Sequence, residues 1–200
     1  MTLALALFLG YIIGSLPTAN AIAGLFGIDL RSEGSGNPGA NNARRLGGPG
    51  LSFAILAVEA GKGAAAVLAG DILGGSPEMA AAGLGAATGN VYNVWYRFQG
   101  GKGLGITLGV LLVAWPLALP PVIVAIAAVA LIARSTGMAS IGALATLLIL
   151  GLLWAPMAWP TGWGADSASL PWLASGLAVV IAPKHIIDAL DRPPRTQEQK

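Results

Sequence analysis

Two hundred residues suffice for one domain, and a hydrophobic fraction of 55% stands against only 10% charged residues. Water-soluble domains draw about 25% of their residues from the charged types, so much of this chain's surface must face lipid. A net charge of +2 with no basic stripe excludes a nucleic-acid partner, and the lack of cysteine excludes disulfides, thiolate catalysis and cysteine metal sites.

A helix needs about 20 apolar residues, within a usual range of about 17–25, to cross a bilayer. On that measure the chain reads as an all-α, polytopic integral membrane protein. Its spans fall near 3–26, 49–70, 79–96, 103–117, 119–133, 138–156 and 170–183. The start, Met1-Thr2-Leu3-Ala4, lacks the positive charge of a signal peptide, so the first span is expected to be retained. The fourth and fifth spans are short and meet at Pro116-Leu-Ala-Leu-Pro-Pro121, a strong turn signal; one long kinked helix is the alternative.

Charge favours the turn. With seven spans and the N-terminus outside, residues 26–48, 97–102, 134–137 and the tail from Lys184 face the cytoplasm. Ten of the eleven lysines and arginines then share that side, and the eleventh, Lys62, lies inside a span. The outer loops, 71–78 and 154–169, carry acids and tryptophans but no lysine or arginine, as the positive-inside rule and the interfacial role of tryptophan require. In this reading residues 1–190 form one seven-span domain. Residues 191–200, with no apolar side chain to bury, form a disordered cytoplasmic tail.

The polar residues concentrate in a few segments. In the first cytoplasmic loop, glycines from Gly34 to Gly39 surround Ser35 and Asn37, with Asn41, Asn42, Arg44 and Arg45 following. Glycines let backbone N–H groups approach an anion, and arginine binds phosphate oxygens in pairs. A flexible connector carrying positive-inside arginines accounts for the same pattern equally well. Gln99-Gly-Gly-Lys-Gly-Leu-Gly105 meets the start of a span and offers amides and the Lys102 ammonium to a phosphate. It is not a Walker A loop, since no strand precedes it and no Ser or Thr follows the lysine; a tight helix–helix turn is the plainer reading. Glu59 and Lys62 lie three apart inside a span, on one helical face. They are either a self-neutralising structural pair or substrate contacts. His185, the only histidine, follows Lys184 and precedes Asp188; one histidine builds no typical zinc site, and no Gly-x-Ser-x-Gly elbow exists for a hydrolase triad. Together these segments describe a site for a phosphorylated molecule beside lipid.

The same residues resemble a known family. Gly14-Ser-Leu-Pro-Thr18, Asp29-Leu-Arg31 and Gly34-Ser-Gly-Asn-Pro-Gly-Ala-Asn-Asn42, with Arg45 and Gly47, resemble the first signature of the bacterial acyl-phosphate:glycerol-3-phosphate acyltransferases, the PlsY family. Glu59-Ala-Gly-Lys-Gly63 is similar to the second. Gly89-Asn-Val-Tyr92 with Phe98-Gln-Gly-Gly-Lys-Gly103 and Gly109 is similar to the third. Order and spacing agree across nearly the whole chain.

The resemblance implies a seven-span inner-membrane enzyme with a cytoplasmic site. Such an enzyme moves a fatty acyl group from acyl phosphate to the 1-hydroxyl of glycerol 3-phosphate, giving lysophosphatidate for phospholipid synthesis. It implies no metal, no cofactor and no obligate protein partner beyond the two substrates and the bilayer. Carried over by position, Ser35, Arg45, Lys102 and His185 become the catalytic set. Gly36, Asn37, Gly39, Asn42, Gly100, Gly101, Gly103 and Asp188 become the substrate- and phosphate-binding set, supported by Glu59, Lys62 and Asn90.

Several positions depart from the family pattern. Asn90 stands where histidine is usual, Asn93 for proline, Asn41 for threonine, Glu59 for aspartate and Asp188 for asparagine. A carboxylate at 188 repels a dianionic substrate unless protonated or paired, and Lys184 or a loop arginine is the expected partner. The departures leave room for a related membrane acyltransferase with another acceptor, for a non-catalytic paralogue, or for an anionic-metabolite transporter. A transporter needs polar groups near the midplane, whereas beyond Glu59 and Lys62 the spans are mostly Ala, Leu, Val and Gly. Small residues of this kind suit tight helix packing instead.

Overall fold

Small residues set how closely the helices approach. The computed structural model describes residues 1–190, so the tail expected at 191–200 lies outside the described residues. The helices are α1 (Thr2–Ser15), α2 (Thr18–Gly24), α3 (Ala40–Gly74), α4 (Ser76–Val91), α5 (Leu104–Ala114), α6 (Leu119–Ala133), α7 (Thr136–Trp154) and α8 (Leu170–Leu190). In α1, Gly10 and Gly14 rest on the Ala82 and Ala86 backbone of α4; in return Gly85 and Gly89 rest on the Leu7 and Tyr11 carbonyls. A Cβ at any of the four would collide with a carbonyl oxygen. Both pairs are four apart, the spacing that puts small residues on one helix face and lets backbones touch. Gly63 and Gly109 bring α3 and α5 together in the same way.

The short fourth and fifth spans are two helices. A 3-10 turn at Pro116–Ala118 separates α5 from α6, and the long kinked alternative is not adopted. α6 matches its expected limits of 119–133. Other boundaries differ for local reasons. The first span divides into α1 and α2 around Pro17, whose ring removes a backbone donor. α3 begins at Ala40, inside the expected loop, and breaks at Gly48 (φ 82°) just before Pro49, where the expected second span starts. α4 stops at Val91 rather than near 96. There the Asn93 amide group donates to the Ser15 carbonyl (2.7 Å), while its oxygen accepts from the Trp95 N–H. α8 runs on through Pro183 to Leu190, so Lys184, His185 and Asp188 share one helix.

Among the described residues, five units are long and apolar enough to cross a membrane: Thr2–Gly24, Ala40–Gly74, Pro116–Ala133, Thr136–Trp154 and Leu170–Leu190. At 16 and 11 residues, α4 and α5 are about 24 Å and 16 Å long, short of a hydrocarbon core of about 30 Å. They lie inside the bundle, where most of α4 and α5 is buried. The five longer units turn apolar side chains outward instead: Phe8, Val124, Leu131, Ile132, Ile149 and Val179 are all exposed. Only 17% of the most apolar stretch of Pro116–Ala133 is buried. An apolar exterior of this extent needs lipid to cover it; the protein is a multi-pass membrane protein.

Candidate phosphate-binding site

At one end of the bundle, three separate segments are drawn together by side chains that bond to backbone. In the loop before α3, the Asn20 side chain accepts from the Leu30 N–H, and Asn42, which is buried, donates to the carbonyls of Leu30 and Glu33. The Asn42 oxygen also accepts the Ser35 N–H at 2.8 Å. Asn42 thus fixes the backbone of Ser35 while its own side chain is spent. Gly34 (φ 63°) and Gly36 (φ 69°) take the left-handed conformations that this turn requires. Asp29 accepts the Arg31 N–H and the Ser32 hydroxyl, bonds that hold its carboxyl below the usual carboxylate range. The Arg31 guanidinium lies 4.2 Å over the Tyr96 ring and ties this loop to the next. Burial raises the Tyr96 hydroxyl above its ordinary range.

The second segment folds back on the end of α4. Gly100 N–H donates to the Val91 carbonyl and Gly101 N–H to the Asn90 carbonyl. The third segment is the end of α8. There the Lys184 ammonium donates to the carbonyls of Val91 (2.9 Å), Gly100 (2.7 Å) and Gly101 (3.1 Å). His185, 2% exposed, meets the Lys102 carbonyl through Nε2 at 3.1 Å. Asp188 pairs with Lys102, Oδ1 to Nζ, at 2.7 Å.

Between the segments lies a cavity of about 390 Å³ lined by Arg31, Ser35, Gly36, Asn37, Gln99, Gly100, Lys102, Lys184, Ile187 and Asp188. Of the residues expected there, the structure brings together Ser35, Gly36, Asn37, Gly100, Lys102 and Asp188. Gly39, Asn42, Gly101 and Gly103 lie outside that lining, and Asn42 and Gly101 hold neighbours that belong to it. His185 also stands behind the loop. Arg45 is exposed on the 40–47 limb of α3 and is not part of the lining. Asp188 pairs with Lys102, a partner not anticipated from the sequence, while the Lys184 ammonium bonds to backbone carbonyls.

Sequence reasoning missed Arg31, Gln99, Lys184 and Ile187. Arg31 lay within the first signature and Gln99 within the third, so their motifs carried a signal. Lys184 was read as the start of the tail and as a partner for Asp188, not as a residue that holds backbone.

A second polar cluster lies deeper. Glu59 and Lys62 pair at 2.9 Å, with 6% and 7% exposure. Glu59 also accepts from the Thr18 hydroxyl and the Asn90 side chain, and Lys62 donates to the Leu16 carbonyl. Of the two sequence readings, this geometry matches the self-neutralising pair. It ties the joint between α1 and α2 to α3 and α4.

These features define a class of protein: a multi-pass membrane bundle with a basic cavity at one end, walled by two glycine-rich segments and the end of α8. Residues 4–189 match the family model for glycerol-3-phosphate acyltransferase. The chain is 37% identical over 183 residues to the glycerol-3-phosphate acyltransferase of Synechococcus sp. strain JA-3-3Ab, covering 90% of this chain and 86% of that one. A second match, 47% identical over 116 residues, is to the enzyme of the same name from Rhodopseudomonas palustris strain BisB5; it spans 57% of this chain and 59% of the relative. Among solved structures, PlsY (YgiH), an integral membrane glycerol 3-phosphate acyltransferase in its glycerol 3-phosphate form, superposes with a TM-score of 0.79. That match is at 26% identity, over 95% of this chain and 91% of the other. The chain belongs to the glycerol-3-phosphate acyltransferase family, and by that membership it is a membrane acyltransferase of phospholipid synthesis.

Proposed function

We propose that this cavity transfers a fatty acyl group from acyl phosphate to the 1-hydroxyl of glycerol 3-phosphate, releasing lysophosphatidate and inorganic phosphate. The observation that carries it is the convergence of Arg31, Ser35, Lys102 and the backbone of Gly36 and Gly100 on one cavity at the end of a lipid-facing bundle. In the step itself the acceptor oxygen attacks the acyl carbonyl carbon and the carbon–oxygen bond to phosphate breaks. The hydroxyl proton passes to a phosphate oxygen of the donor. An acyl phosphate is already activated, so the protein has two tasks: to orient two anions and to hold negative charge as it shifts. Lys102 and Arg31 hold that charge, and the Ser35 hydroxyl and backbone amides position it. Arg45, exposed on the rim-side limb of α3, meets anions arriving from solution.

The reading includes seven crossings, with the N-terminus outside and the cavity facing the cytoplasm of a bacterial inner membrane. Support comes from the separation of charge: Arg31, Lys102 and Lys184 gather at the cavity end, while tryptophans 154, 159 and 163 gather at the other. α4 and α5 cross as inner helices, their backbones satisfied within the bundle.

The activity is tested by phosphate release from palmitoyl phosphate by the purified full chain. Release that depends on glycerol 3-phosphate, yields lysophosphatidate and disappears in Lys102→Ala is expected. Acceptor-independent release, or none from folded protein, would falsify the reading. Sidedness is tested on the naturally cysteine-free chain with Ala133→Cys and Ala168→Cys and a membrane-impermeant maleimide on intact cells. Only Ala168→Cys should label; labelling of Ala133→Cys instead reverses the orientation.

A further inference from the structure

Lys184 offers its ammonium to three carbonyls within reach of its three protons, and His185 beside it takes a fourth. Those from Gly100, Gly101 and Lys102 are consecutive. A trans peptide is planar, with its N–H directed opposite its C=O. Fixing a carbonyl therefore fixes the direction of the following residue's amide. The first of the three peptide units follows this rule in the structure: the Gly100 carbonyl faces Lys184, and the Gly101 N–H points the other way, into the Asn90 carbonyl. The same geometry turns the Lys102 and Gly103 amides away from α8. Gly103, at φ 84°, then curves the chain into α5, and Lys102 lines the cavity.

We propose that Lys184 is a positioning residue. By holding the Gly100 and Gly101 carbonyls against α8, it aims the Lys102 amide at the phosphate of the acceptor. Its charge is spent on backbone rather than on substrate, which distinguishes it from Lys102, whose ammonium faces the cavity. The inference rests on the reading of this cavity as the glycerol 3-phosphate site.

The test compares Lys184→Met, Lys184→Arg and Lys102→Ala in the full chain, with turnover followed against glycerol 3-phosphate concentration. In Lys184→Met, KM for glycerol 3-phosphate should rise about tenfold or more, the loss of one charge-assisted bond's worth of alignment. kcat at saturating acceptor should stay within about threefold, because chemistry at the donor does not pass through Lys184. Lys184→Arg, which keeps the charge and several donors, should recover most of the loss. A KM unchanged in Lys184→Met, while Lys102→Ala is inactive, sinks this inference alone. Full activity in Lys102→Ala removes the site reading and this inference with it.

If Lys184→Met does not fold, the wild-type chain still decides. The ¹⁵N-labelled Lys102 amide resonance in detergent micelles should shift on addition of glycerol 3-phosphate. A resonance that stays in place overturns the proposal.

Discussion

The two ends of the bundle are held by different chemistry. At the far end, aromatic edges do the packing: Trp115 meets Trp154 at 5.0 Å and 89°, and Trp154 meets Trp159 at 5.1 Å and 83°. The Trp154 ring N–H donates to the Pro160 carbonyl, and the charged groups there are acids: Glu78 accepts from the Thr2 hydroxyl, and Asp166 accepts from the Ser169 N–H in its own loop. At the cavity end the fastening is polar and points at backbone. Asn42, Asn93 and Lys184 each bond to main-chain atoms of a neighbouring segment, and Glu59 gathers Thr18, Lys62 and Asn90. Packing tolerates small shifts, whereas a hydrogen bond loses strength steeply with angle and distance. The end that must hold glycine backbone at fixed geometry is therefore the end built from directional bonds.

The largest break in that comparison is expected at Glu59. Glu59→Ala leaves the Lys62 ammonium buried without its counter-charge and frees Asn90 from below the 100–101 turn. Removing one partner of a buried pair costs about 3–5 kcal/mol. Activity should fall together with thermal stability in detergent, and Glu59→Gln should recover part of both. An active, fully stable Glu59→Ala would show that the polar cluster does not hold the cavity end.

At the other end, Trp154→Phe is expected to separate stability from activity. It removes one ring N–H bond and part of two edge contacts, worth about 1–2 kcal/mol together. The melting temperature should drop, with KM and kcat of the folded fraction unchanged. A change in KM for glycerol 3-phosphate would mean that the two ends are coupled.

How much of this was legible in the sequence follows the same divide. Hydropathy placed α6 at its observed limits because Leu119–Ala133 is apolar throughout and bounded by Pro116 and Arg134. It failed where polar residues continue a helix or end one early. Lys184, His185 and Asp188 read as tail yet extend α8, and Asn93 stops α4 through bonds to Ser15 and Trp95 that no local pattern encodes. The motifs supplied the cavity's glycines, Ser35 and Lys102. Which arginine lines the cavity depended on how the 25–39 loop folds over Tyr96, and this selected Arg31 while leaving Arg45 on an exposed limb. Lys184 was hidden for a related reason: its partners lie more than 80 residues away in sequence and are carbonyls, which every residue has.

The smallest expected effect concerns Asp188, the departure that most resists the phosphate reading. Its carboxylate lines the cavity and pairs with the Lys102 ammonium at 2.7 Å, with 21% and 27% of the two side chains exposed. An incoming phosphate must compete for that ammonium. A partly exposed ion pair is worth about 0.2–1 kcal/mol, so Asp188→Asn should lower KM for glycerol 3-phosphate by no more than about fivefold. The amide keeps a hydrogen-bonding oxygen for Lys102 while removing the negative charge. Steady-state kinetics at several acceptor concentrations will separate two roles. A lower KM with kcat preserved identifies Asp188 as a resident counter-ion that tempers acceptor affinity. A higher KM with a falling kcat would mean instead that the carboxylate accepts a hydroxyl proton from the acceptor in a hydrogen bond, and the asymmetry between Lys102 and Asp188 would then belong to substrate orientation rather than to charge balance.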